Sequence, residues 1–308
     1  MGDIRIFRID APQAEELKGT SVALEKSLQT YMEQNLDSLL GVTFLATEYT
    51  TGKTHGGRID TLGIDENGFP VIIEYKRALN ENVINQGLYY LDWLLDHKAE
   101  FELLYLKTLG KRGDEIIDWT GPRLLCIAGD FTKYDVHAVQ QINRNVELIR
   151  YRKFEKSLLL LELVNATAQN GDTVPAPVVP APVPRKKVGG NKTFSESLEL
   201  SNVDLKDRYE ALKAFTLALG DDVQVKVTKL YAAFRRIKNF TCVEIRPQSN
   251  TVLLYLRLNP DDIRLEEGFT RDVKNIGHWA PGDLEIAIRS DADLERAKDL
   301  IVKSYEEN

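Results

Sequence analysis

Gly57-Arg58-Ile59-Asp60 and Val71-Ile72-Ile73-Glu74-Tyr75-Lys76 flank the turn sequence Asp65-Glu66-Asn67-Gly68, and together they read as a β-hairpin bringing two carboxylates and an ammonium to one spot. Residues 58–64 and 69–76 are strand-like, and Gly68 can supply the positive φ that a three-residue loop needs. With Glu66-Asn67-Gly68 as the loop, Asp65 faces Phe69, and counting back sets Asp60 opposite Glu74. Alternation then groups Ile72, Glu74 and Lys76 on one face and Val71, Ile73 and Tyr75 on the other.

Like charges directly opposed destabilise a sheet unless something compensates them. An all-oxygen pair suits Mg²⁺ or Mn²⁺, and Lys76 beside it could orient or deprotonate a water and stabilise charge on a phosphate. The plainer alternative is a surface ion-pair ladder. Against it stands the strand itself, which is apolar on both sides of Glu74, as expected of a central strand where unpaired charge is expensive. A second Glu-x-Lys, Glu16-Leu17-Lys18, has no hairpin partner and reads as a solvated helix face.

Gly57-Arg58-Ile59-Asp60, a turn, a strand ending Glu74-Tyr75-Lys76, and a helix bearing Gln86 with Tyr89 and Tyr90 resemble the PD-(D/E)XK nuclease superfamily. Its RecB-like branch and the catalytic domain of the mismatch-specific endonuclease are the nearest in look. The resemblance implies a restriction-endonuclease-like α/β fold, a mixed sheet flanked by helices. It also implies metal ligation by Asp60 and Glu74, water activation by Lys76, and a site contact from Gln86. A further acidic residue on an early helix is expected to be Glu25, with Glu33 second, and Arg58-Ile59 stands where the family more often has a proline before the Asp. The implied function is Mg²⁺- or Mn²⁺-dependent endonucleolytic hydrolysis of DNA, in repair or restriction. The alternative is a catalytically silent module of the same fold that binds nucleic acid or a protein partner.

The length of 308 residues suggests two domains, and the proline-alternating stretch 174–184, followed by Arg185-Lys186-Lys187, marks an extended spacer between them. The expected division is a nuclease-like domain over 1–165, a linker over 166–193, and a smaller α+β domain over 194–308. In the first, periodicity predicts a strand at 4–9, a helix at 21–40, a strand at 42–49 and one long helix at 82–108 capped by Asn80. A parallel central strand at 123–128, a helix at 135–143 and a closing hairpin over 146–164 follow. In the second, 205–219 and 223–237 read as helices, 241–246 and 251–258 as an antiparallel pair, and 282–289 as a third strand. Ser290 and Asp293 form a capping box for a last helix with Leu294, Ala297, Leu300 and Ile301 inward. The run 231–240, Gly277-His278-Trp279 and Lys303-Ser304-Tyr305 resemble an uncharacterised C-terminal domain found beside restriction-type nucleases and, more distantly, MmcQ/YjbR-like folds.

With 40 Lys and Arg against 47 Asp and Glu, the chain lacks the broad basic surface of a sequence-independent DNA binder, so contacts with nucleic acid must be local. Besides Arg58, the candidates are Lys229, Arg235, Arg236 and Lys238, and the run Arg150-Tyr151-Arg152-Lys153 with Lys156; both clusters also read as solvated faces. His278-Trp279 reads as a core turn or a recognition element. Cys126 and Cys242 fit buried, reduced thiols, and no signal-peptide or membrane-spanning stretch is legible, so a cytoplasmic protein working on DNA is expected, with homo-oligomerisation open. Few histidines and no Gly-x-Gly-x-x-Gly or Walker loop argue against zinc hydrolase, Ser-His-Asp and nucleotide-fold chemistry.

Overall fold

The computed structural model describes residues 4–10, 12–20, 25–52, 56–76, 83–110, 116–155, 157–167 and 192–308. It divides into two compact units, Met1–Gly171 and Asp172–Asn308. The proline-rich spacer, Asn80, Lys156 and the start of the helix expected at 21 lie outside the described residues.

The first unit runs β1 (Ile6–Arg8), β2 (Glu15–Leu17), β3 (Gly19–Thr20), α1 (Glu25–Gln34), α2 (Leu36–Leu40), β4 (Val42–Thr50), β5 (Arg58–Asp65), β6 (Pro70–Lys76), α3 (Val83–Asp96), α4 (Lys98–Leu109), β7 (Arg123–Ala128), α5 (Lys133–Gln140), β8 (Asn145–Phe154) and β9 (Leu158–Thr167). Its main sheet has the order β3-β8-β7-β6-β5-β4, with β9 also on β8. The sheet is mixed. β4, β5 and β6 are antiparallel, β6, β7 and β8 are parallel, and β9 returns antiparallel along β8. β6 and β7 are buried along nearly their whole length, which accounts for their unbroken apolar character. Helices flank both faces: α3 packs on β6 and β7, and α1 on β5 and β6.

The β5–β6 hairpin has the expected register, with Thr61 opposite Ile73 and Ile64 opposite Pro70. Its turn is fixed locally. Asp65 N donates to the Phe69 carbonyl (2.9 Å), and Asp65 Oδ1 accepts from the amides of Asn67 and Phe69 at 2.9 Å each. Gly68 sits at φ +83°, where a Cβ would lie 2.1 Å from the Ile116 carbonyl oxygen, so both backbone and space demand glycine.

Several elements differ from expectation. The long helix breaks at His97, which leaves helical geometry while its Nδ1 sits 2.8 Å from the Trp93 carbonyl; the break redirects α4 so that Phe101 and Tyr105 reach the core. Asn35, at φ −130°, likewise separates α1 from α2. Glu16 and Leu17 are not on a helix but in β2, paired with β1.

The second unit holds α6 (Phe194–Glu199), α7 (Val203–Leu217), β10 (Gln224–Val227), β11 (Ala232–Arg235), β12 (Asn239–Arg246), β13 (Thr251–Leu256), β14 (Thr270–Asp272), β15 (Leu284–Ile288) and α8 (Asp291–Glu307), with short 3₁₀ turns at Pro247–Ser249 and Pro260–Asp262. Six antiparallel strands lie in the order β10-β11-β12-β13-β15-β14. One face carries the main core, in which Phe194, Leu205, Tyr209, Leu212, Leu294 and Ile301 meet Val243, Leu254 and Ile286. The Ser290–Asp293 capping box is present. The helix expected over 223–237 is instead the β10–β11 hairpin. Its β-branched Val223, Val225, Val227 and Thr228 favour strand, and Thr228 closes the turn by exchanging hydrogen bonds with Tyr231.

Candidate functional site

Beyond the Thr61–Ile73 pair the β5–β6 ladder stops, and two side chains take over its donors. Asp60 N donates to Glu74 Oε1 (3.2 Å), and Tyr75 N donates to Asp60 Oδ2 (3.0 Å). The strands therefore part where their carboxylates meet, each carboxylate accepting an amide that neighbouring backbone would otherwise have taken. Glu74 is fully buried. Burial first, and then the charge of Asp60, push its carboxyl up to about 8, against the lowering pull of the Asp60 amide and of the Lys76 ammonium; Glu48 adds a further upward push.

From α3, Gln86 Nε2 donates to Glu74 Oε2 (3.2 Å) and lies 3.3 Å from the Tyr90 hydroxyl. That hydroxyl also accepts from Arg58 N at 3.1 Å, so one phenol ties α3 to the entry of β5. A Cβ on Gly57 would lie 2.5 Å from the Tyr90 ring, which is why the chain enters the site through a glycine. Lys76 ends β6, partly exposed, beside Ala128 of β7.

Glu48 escaped sequence reasoning. Thr47 pairs with Thr61 and Tyr49 with Ile59, which sets Glu48 across from Asp60, and its backbone adopts φ +51°, a costly conformation for a non-glycine residue. Its carboxylate holds the guanidinium of Arg58, whose side chain is otherwise well exposed. Nothing in the surrounding Ala46-Thr47-Glu48-Tyr49 sequence announces that backbone. Glu33 lies across the sheet from Glu74: it accepts from Thr61 Oγ1 (2.6 Å), and Thr61 is paired with Ile73 on the opposite face. Gln29 Nε2 reaches Glu33 (3.0 Å) and the Asp60 carbonyl (2.9 Å), fastening α1 to β5. Glu25 opens α1, and its side chain lies outside the description.

Asp60 and Glu74 are hard-oxygen donors of the kind Mg²⁺ or Mn²⁺ accepts with one or two protein carboxylates. A carboxylate raised first by its burial and then by its neighbour's charge is the state such a pair has without a cation, so the residues fit that ion. Among the described residues, no group of three or more His, Cys, Asp or Glu side chains could hold a metal ion by itself. Next to Glu74 on β7, Cys126 is buried and its thiol pushed up by that burial.

The basic candidates of the second unit sit at strand turns rather than on a helix: Lys229 between β10 and β11, and Arg235, Arg236 and Lys238 where β11 passes into β12. Lys229 is exposed and Lys238 partly so. Arg235 is buried, with its guanidinium turned onto the carbonyls of Arg236 and Ile237 (3.3 and 2.7 Å), so it braces the turn instead of facing solvent. Arg236 pairs with Asp222 (2.7 Å) and lies 4.8 Å over the Tyr305 ring. Arg150 is likewise buried, against Asp130 and Glu162, which removes it from the basic run at 150–153. Trp279 is exposed, not a core turn. Both cysteines are buried thiols outside any disulfide. Among the described residues, no helix is long and apolar enough to cross a membrane.

The model of a domain of unknown function, DUF5655, matches residues 192–308. An uncharacterised protein of Haemophilus influenzae is 30% identical over 315 residues, covering 99% of this chain and all of its own. Among solved structures, a repair endonuclease from Pyrococcus abyssi aligns at 17% identity and TM-score 0.28, over 42% of this chain and 47% of its own. An EndoMS–dsDNA complex aligns at 19% identity and TM-score 0.24, over 46% and 49%. Likeness of that depth leaves the chemistry to this chain's own residues.

Proposed function

The chain belongs to one family with the Haemophilus influenzae protein, and we propose that it is a metal-dependent endonuclease of the PD-(D/E)XK class, hydrolysing DNA phosphodiesters in repair or restriction in the cytoplasm. One observation carries the proposal: Glu74, fully buried, is held against Asp60 where β5 and β6 part, an arrangement that burial and repulsion both penalise until a cation shares the two charges.

Asp60 and Glu74 would hold Mg²⁺ or Mn²⁺, which supplies neutralisation of phosphate charge and a more acidic water. Gln86 fixes the plane of the Glu74 carboxylate through Oε2, and the Asp60 amide fixes it through Oε1. Tyr90 keeps Gln86 and the Arg58 backbone in place. Lys76, whose ammonium already acts on Glu74, would orient the attacking water by donating to its oxygen and offset charge on the phosphate. Arg58, largely exposed and anchored by Glu48, is the phosphate contact of this unit. Glu25 remains the further acidic member of the site. Lys229, Lys238 and Arg236 are the nucleic-acid contacts of the second unit; Arg235 supports the turn that carries Arg236 and Lys238.

The test is incubation of the purified chain with single-stranded, double-stranded, mismatched and end-bearing DNA, and with RNA, with Mg²⁺, Mn²⁺ or EDTA. Metal-dependent cleavage that Glu74→Gln abolishes is the expected result. No cleavage of any substrate with either metal would leave a silent nucleic-acid-binding module as the better reading.

A further inference from the structure

The face of the second unit's sheet turned away from the main core carries a cavity of about 590 Å³, within the range of small-molecule sites. Glu244 of β12, Leu253 and Tyr255 of β13, Glu285 and Ala287 of β15 and Arg271 of β14 contribute to its lining. The segment after β14 closes one side. His278 stacks on Tyr255 at 5.0 Å and is held between the carbonyls of Ile276 and Gly282, which leaves its neighbour Trp279 exposed at the rim.

Glu244 is the unusual member. Only 5% of the residue is exposed, and while Oε2 accepts from Arg246, Oε1 is buried with no hydrogen-bond partner among the described residues. A buried lone acceptor of this kind is expensive, and burial raises the carboxyl further. Glu244 lines the cavity, and no described residue donates to this oxygen. Glu285 differs: it is engaged by Arg271 (2.9 Å) and hydrogen-bonded to Tyr255. Arg246, Arg271 and Arg289 also line the cavity, and all three have exposed side chains or surfaces.

These features narrow the ligand. The missing donor calls for an N–H, and the three arginines of the lining are matched by Glu244, Glu267 and Glu285, which favours neither a bare cation nor a bare anion; a neutral donor group on a molecule whose anionic part reaches the arginine rim fits both signs of charge. An exposed indole at the rim, with Leu253 and Ala287 among the lining, calls for a flat ring. We propose that this cavity binds an amino-bearing nucleobase (adenine, cytosine or guanine), its exocyclic amino group donating to Glu244 Oε1, its ring stacked on Trp279 and its phosphate met by the arginine rim. A free nucleotide and an unpaired base in a strand present the same chemistry. The site is separate from the first unit's carboxylates and stands whether or not those cut DNA.

Calorimetry on the full-length chain in EDTA, with CMP, UMP, short oligodeoxycytidylate and short oligothymidylate, tests it without any cleavage. Cytosine ligands should bind roughly tenfold or more tightly than their uracil or thymine counterparts, since the latter present a carbonyl to the carboxylate. Glu244→Gln, which can donate to that carbonyl, should erase or reverse the preference, while the rim variant Trp279→Ala should weaken both classes alike. Binding of CMP marks free nucleotides as a source; binding of the oligonucleotide alone marks a base within a strand. Equal affinity for both bases, a preference that survives Glu244→Gln, or no binding by any of these four probes or by AMP and GMP titrated in the same way would overturn the proposal.

Discussion

The Tyr75 amide donates to Asp60 Oδ2 at 3.0 Å, so the backbone of the strand that carries Glu74 is itself held by the carboxylate opposite. Structure and charge are therefore joined at this point: neither carboxylate can be deleted without releasing an amide of the neighbouring strand.

Isosteric and truncating variants should separate these two roles. Asp60→Asn and Glu74→Gln keep an acceptor for the Tyr75 and Asp60 amides while removing charge, and should abolish cleavage with a thermal midpoint unchanged or raised. Asp60→Ala and Glu74→Ala leave those amides without their acceptor and should cost about 1–3 kcal/mol. Tryptophan fluorescence in a Trp279→Phe background would follow the first unit alone, because Trp93 and Trp119 both lie there.

The protonation of Glu74 sets a pH dependence. Its folded value of about 8 lies above the ordinary 4.5, so the folded state binds that proton more tightly than the unfolded chain does. The resulting stability is full below about pH 4.5 and is lost as pH rises through 8, on the order of a few kcal/mol. Thermal melts in EDTA should show this decline in wild type and a flatter profile in Glu74→Gln. Mg²⁺ should raise the wild-type midpoint more at pH 8 than at pH 5, because it binds the ionised carboxylate. A metal effect equal at both pH values would count against ligation by Glu74.

Tyr90→Phe removes a hydroxyl that accepts from Arg58 N and lies against Gln86. A loss of roughly 1 kcal/mol in stability and a reduced cleavage rate with substrate affinity retained are expected. Gln86→Ala should lower the rate without the stability loss at Arg58. Denaturant melts and single-turnover cleavage would distinguish the two.

Arg123 is buried between Asp65 (2.8 Å) and Glu147 (2.8 and 2.9 Å), and Asp65 also caps the hairpin turn. Arg123→Met strands two buried carboxylates and should destabilise the first unit by about 3–5 kcal/mol in urea melts, whereas the exposed pair Arg8–Glu155 should contribute under about 1 kcal/mol.

The hairpin that organises the candidate site was determined by local sequence. Turn chemistry at Asp65-Glu66-Asn67-Gly68 sets the register within a few residues of itself, and period-two alternation carries it to Asp60 and Glu74. The central position of β7 followed for a similar reason, since a short, wholly apolar segment after a long crossover has few places to go. Other features required distant partners. Glu48 acquires its positive φ only when β4 is laid beside β5 and its carboxylate finds Arg58, and Arg123 becomes a buried charge only when β8 brings Glu147 to it. The stretch from Val223 carries both helical and strand periodicity; a neighbouring strand, β12, was available to pair with β11, and sheet pairing settled the choice. Arg235 and Arg150 look like surface charge in one dimension because burial of an arginine depends on acceptors that tertiary packing alone supplies, the turn carbonyls for one and Asp130 with Glu162 for the other. Sequence thus determined what the chain decides within a turn or a strand, and tertiary structure decided where charge is buried, because that energy depends on partners far along the chain.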